Sequence, residues 1–162
     1  MTKFLLSLHV LAAILTVGPI TVAASMFPRY ARTPAGGDDG PGEGNGRTAA
    51  FLHRICRGYT VVGLAVPVFG VATGAQLGVL TDAWLLASVG LTAAAAALLL
   101  IVILPGQQRL LALPTDEVPD GGAVEMMRAS AARLSMTTGI FNLLWTAVVV
   151  LMIVRPGSTT GA

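Results

Sequence analysis

The stretch GYTVVGLAVPVFGVATGAQLGVLTDAWLLASVGLTAAAAALLLIVIL, residues 58–104, contains a single charged side chain, Asp82. A helix needs about 20 apolar residues, at about 1.5 Å each, to cross a hydrocarbon core about 30 Å thick. Two such runs fit here, Gly58 to Leu80 and Ala83 to Leu104, parted only by Thr81 and Asp82. Lipid offers no water to unpaired backbone groups, so each run has to be a helix. The short connection makes the two helices antiparallel neighbours, with Asp82 placed to cap the second. Working outward, Phe4 to Phe27 and Leu134 to Val154 also lack Lys, Arg, Asp and Glu. The expected fold is all-α, an integral membrane four-helix bundle that forms one transmembrane domain over residues 1–162.

Composition agrees with that reading. Of the 162 residues, 54% are hydrophobic and 11% charged, and mean hydropathy is +0.77; soluble domains carry about 25% charged residues. The net charge of +2 does not point to nucleic acid, because the Lys and Arg residues lie outside the apolar runs. Arg29, Arg32, Arg47, Arg54, Arg57, Arg109, Arg128 and Arg133 fall on one side of the bilayer, against Lys3 and Arg155 on the other. The positive-inside rule then places both long loops in the cytoplasm and both termini outside, a multi-pass arrangement in the plasma membrane. The small residues Val22-Ala23-Ala24-Ser25 after Lys3 resemble a signal cleavage site, but the length of the run and its His9 and Pro19 favour a retained first helix.

The Gly-, Pro- and acid-rich tract around residues 33–47 is expected to be a mobile cytoplasmic loop. Thr48 to Arg57 reads as a helical extension of the second span into the headgroup region, with His53, Arg54 and Arg57 as candidates for binding headgroups or a partner. The third span is expected to end at Pro105-Gly106, and Ala123 to Arg133 to begin the fourth helix outside the membrane. Pro67 should kink the second helix. Gly70, Gly74 and Gly78 form two successive GxxxG spacings, which permit close helix packing, a lined pathway or a homodimer face. Thr16, Thr73, Gln76, Asn142 and Trp145 are expected as polar residues of the bundle interior.

His9 is the most informative position, since an ionisable group inside a span is a functional-site candidate. It is either a neutral histidine hydrogen-bonded to a polar neighbour at its depth, such as Thr73, Gln76, Ser88, Thr92 or Thr146, or a haem ligand. In the second case Met152 is the candidate second axial ligand, with Lys3 or Arg155 beside the propionates. One haem between His9 and His53 is excluded by depth, on the order of 25 Å by helix rise. One cysteine, Cys56, and two distant histidines do not assemble a metal site. No catalytic motif is present: G-x-S-x-G, H-E-x-x-H and Walker A are absent.

The first helix, Leu5-Leu6-Ser7-Leu8-His9-Val10-Leu11-Ala12-Ala13-Ile14-Leu15-Thr16-Val17-Gly18, continuing to Phe27-Pro28-Arg29-Tyr30, resembles the bacterial integral-membrane family known as domain of unknown function 2269. That resemblance implies a small plasma-membrane bundle without an assigned activity. More distantly, His9, Gly18, Pro28 and Arg29 are similar to the haem-associated protoporphyrinogen oxidase of the HemJ type, although Thr16 stands where that family has tryptophan. An early-helix histidine is also similar to the CopD copper-resistance proteins, without their Met or His clusters. Three function classes follow: a non-catalytic structural or accessory bundle packed against another membrane protein or a second copy, a haem-binding redox protein acting through His9, and a small transporter. The missing intramembrane charges and the lack of an inverted repeat weigh against the last.

Overall fold

The computed structural model describes residues 2–31, 42–112 and 121–157. The elements are α1 (Thr2–Ala31), α2 (Gly42–Gly63), α3 (Ala65–Leu77), α4 (Ala83–Ala97), a π-helical stretch (Leu98–Ile103), α5 (Leu104–Leu111) and α6 (Gly121–Val154). They compose four spans long and apolar enough to cross a membrane: Thr2–Ala31, Gly44–Leu77, Ala83–Leu111 and Val124–Val154. The fold is therefore an all-α four-helix membrane bundle. Much of its aliphatic surface faces outward; Ile14, Val61, Ile101, Leu143 and Ile153 are all more than half exposed, as lipid contact requires.

Proline punctuates the second span. Pro67 has no N–H to give the Gly63 carbonyl, and the helix breaks at Leu64, whose N–H turns back to the Val61 carbonyl at 3.3 Å. The helical extension through Thr48 to Arg57 is present but starts earlier, at Gly42. Residues 42–47, read from composition as part of a loop, are thus helical, and Thr48 Oγ1 ties onto the Gly44 carbonyl at 2.8 Å. The rest of that tract, residues 32–41, lies outside the described residues. The third span likewise runs past Pro105-Gly106 to Leu111. Pro105 gives up one helical N–H directly after a stretch that closes on wider bonds, Leu104 N–H reaching the Leu99 carbonyl, and the helix carries through it.

α1 packs along both α2 and α3 on one side and against α6 on the other, while α4 packs on α6. The spatial order is therefore span two, one, four, three. Spans two and three close the ring only at their ends, through α2 with α5 and α3 with α4. Between those contacts they part around a cavity of about 120 Å³ lined by Thr16, Thr60, Gly63, Leu100, Phe141 and Trp145, among others. The two-residue connection thus makes spans two and three neighbours without packing them together along their length. Asp82 is the N-cap residue of α4 by position, but its side chain makes no capping bond. Its carboxylate accepts from Trp84 Nε1 at 3.0 Å instead.

The glycine run of span two has separate local explanations. A Cβ on Gly70 would come within 2.8 Å of His9 Cε1, and one on Gly74 within 2.9 Å of Leu85 Cδ2. These glycines are holes for side chains from α1 and α4. Gly78 ends α3 with φ +70°, a left-handed conformation that costs an L-residue roughly 1–2 kcal/mol. Gly78→Ala should lower stability by about that amount, as read by equilibrium unfolding of the detergent-solubilised protein.

Candidate functional site

Two histidine-centred arrangements lie at different levels of the bundle. His9 of α1 is half-buried, its ring seated on Gly70, and its Nδ1 lies 2.8 Å from the Val66 carbonyl. A carbonyl oxygen only accepts, so Nδ1 is the donor in this contact. The partner is a backbone group, not the side chains expected at this depth. Those hydroxyls are already committed within their own helices: Thr73 to the Phe69 carbonyl, Ser88 to Trp84, Thr92 to Ser88 and Thr146 to Asn142. Gln76 is exposed rather than interior, because it stands in the last turn of α3, where the helix leaves the bundle.

The second arrangement is nearer the Arg-rich end. His53 Nδ1 lies 2.9 Å from Gln107 Oε1, Gln107 Nε2 donates to Cys56 Sγ at 3.7 Å, and Cys56 Sγ–H donates to the Ile20 carbonyl at 3.9 Å. This chain stitches α2, α5 and α1 together around a glutamine that is 0% exposed. Gln107 was not among the expected interior residues, since it follows the Pro-Gly pair read as the end of the third span. His53 is thereby engaged inward, while Arg54 and Arg57 on the same helix are exposed and remain available to headgroups or a partner. His9 meets the second span at Val66, thirteen residues from His53, roughly 20 Å by helix rise, so the two imidazoles belong to separate sites.

The remaining expected residues divide between these and the α1/α6 side. Thr16 is 1% exposed and donates to the Ala12 carbonyl at 2.6 Å. Asn142 and Trp145 are half-buried; Asn142 Nδ2 donates to Ser25 Oγ at 3.3 Å, and Trp145 meets Phe141 edge-on with ring centroids 6.4 Å apart. Thr138 Oγ1 and Asn142 Oδ1 are buried without a partner among the described residues. Met152 is half-buried, and its carbonyl accepts from Arg155 Nε at 3.3 Å. The Arg155 guanidinium lies 5.6 Å from the centroid of the Trp84 ring, a cation–π contact. Its sequence-level assignment beside haem propionates thus competes with a partner inside the protein. Among the described residues no three His, Cys, Asp or Glu side chains converge in a way that could hold a metal ion.

No family model matches the chain, and no curated protein or solved structure shows significant similarity to it.

Proposed function

We propose that this chain is a non-catalytic accessory bundle of the bacterial plasma membrane, with its Arg-rich end in the cytoplasm and both termini outside, packed against another membrane assembly or a second copy. The observation that carries this reading is how the interior spends its polar groups. His9 donates to a backbone carbonyl, His53, Gln107 and Cys56 satisfy one another, and the buried Thr16, Thr73 and Ser88 hydroxyls bond the carbonyl one turn back. Such a network braces helices and leaves few groups aimed at a substrate, whereas the outward face is broad and aliphatic.

The haem reading retains one specific support. Proton placement on Nδ1, fixed by the Val66 carbonyl, is the arrangement in which Nε2 serves as a ligand. His9 is the residue that would hold a haem, and the group would supply redox chemistry there. The test is the absorption spectrum of the detergent-purified protein, oxidised and dithionite-reduced, from haem-replete cells. The accessory reading expects a colourless protein and co-purifying membrane subunits or a stable oligomer. A stoichiometric Soret band that His9→Ala abolishes would replace that reading with the redox one.

A further inference from the structure

Between α1 and α6 the bundle surface holds an open groove of about 560 Å³, lined by Ala13, Gly18 and Thr21 on one side and Asn142, Trp145 and Val150 on the other. From Thr21 to Ala13 it runs about 12 Å along the membrane normal by helix rise, and its volume lies in the ~300–1,000 Å³ range of small-ligand sites. A Cβ on Gly18 would meet nothing within 4 Å, so the groove is space that the bundle's own side chains leave unfilled.

Two donors on its walls have no protein partner among the described residues. Several hydroxyls in the helices bond the carbonyl four residues back, as Thr16, Thr60, Thr92 and Thr146 do, whereas the buried Thr138 Oγ1 has no partner among the described residues. Thr21 makes no such bond, and Trp145 Nε1 is also without a hydrogen-bond partner among the described residues. An unspent O–H and N–H in a hydrocarbon environment call for an acceptor. A second transmembrane helix could offer only carbonyls already shared with its own backbone, as the Val66 carbonyl is when it takes the His9 proton. Ester carbonyls of a glycerolipid are free acceptors.

Charge points the same way. Arg29 stands two turns beyond Thr21 on α1, exposed and without an ionic partner among the described residues. At about 100° per residue Arg29 lies about 20° round α1 from Gly18 and about 80° from Thr21, so it stands beyond the groove's lining on the side of its Gly18 edge, and helical side chains lean toward the N-terminus of their helix, here the direction of the groove. We propose that the α1/α6 groove binds an acyl chain of an anionic glycerophospholipid, with ester carbonyls accepting from Thr21 and Trp145 and the phosphate at Arg29. This site is independent of whether the bundle has a protein partner.

The test uses the full-length protein in mild detergent, delipidated and titrated with phosphatidylglycerol or phosphatidylcholine, with retained lipid counted by native mass spectrometry. The wild type should retain one phosphatidylglycerol per chain in preference to phosphatidylcholine. Val150→Phe, which fills the exposed wall, should lower occupancy at least tenfold with an unchanged unfolding midpoint. Gly18→Leu should do the same from the opposite wall; because Gly18 precedes Pro19, where a side chain strains the helix, Val150→Phe carries the test if that variant misfolds. Arg29→Gln should retain lipid but lose the anionic preference by about fivefold, the worth of one interfacial arginine. Unchanged occupancy in Val150→Phe, or equal retention of the two lipids by the wild type, would overturn the assignment. So would a change in oligomeric mass in place of lipid loss, which would make the groove an interface between copies.

Discussion

Gln107→Ala is expected to destabilise the bundle by about 2–4 kcal/mol, the sum of a cavity at a fully buried position and the loss of partners for His53 and Cys56. Gln107→Met divides that sum. Methionine restores most of the volume but offers neither the carbonyl that His53 uses nor the N–H that reaches Cys56, so its cost should fall to about 1–2 kcal/mol, the hydrogen-bonding share alone. Equilibrium unfolding of both variants in mixed detergent micelles reads the difference. Equal stability of Gln107→Ala and the wild type would mean that α2, α5 and α1 are joined by packing and not by this chain of bonds.

The second large effect concerns the seat of His9. Gly70→Ala puts a Cβ within 2.8 Å of the imidazole. The ring must then leave the Val66 carbonyl, at an overpacking cost of about 1–3 kcal/mol. In a His9→Ala background the same substitution should be neutral or mildly stabilising, since alanine outranks glycine in a helix by about 1 kcal/mol. The double-mutant cycle therefore isolates one contact, and additive effects would show that Gly70 serves something other than this ring. A His9 that must stay in place for a ligand gives a further readout, because Gly70→Ala would then change the ligand's spectrum as well as the protein's stability.

Much of this architecture was legible in the sequence because lipid leaves few options. Apolar runs of sufficient length have to be helices, and Pro67 interrupts one of them at Leu64, although Pro19 and Pro28 lie inside the unbroken α1. The early start of the fourth helix and the helical extension through Thr48 to Arg57 followed from the lack of any strong breaker. Other features depended on groups that residue types do not report. His9 bonds a backbone carbonyl, and every residue has one of those, so composition pointed instead to the nearest polar side chains. Gln107 was hidden behind Pro105 and Gly106, which read as a stop although the helix carries through them from its wide turn. The glycine run was recognised as a packing surface, but the same spacing serves two backbones in contact or a row of holes for incoming side chains. Only the positions of His9 and Leu85 distinguish these.

The π-helical stretch alters what a change of length in span three would do. An α-helix advances about 100° per residue, so buried positions spaced by four drift about 40° at each step. Ala95, Leu99, Ile103 and Gln107 are spaced that way, yet all are buried. The wide turn over Leu98–Ile103 absorbs the drift. Removing one residue there would let the wide turn close as an ordinary α turn: Gln107 would then follow Ala95 by eleven residues, about 20° past three full turns, and would still face His53, whereas the same deletion in the α-helical part of the span would swing everything beyond it through about 100°. Depth and azimuth thus respond differently to one helix's length: any lost residue moves the point where the chain leaves the bilayer, but only a residue lost outside the wide turn changes which way the far end faces.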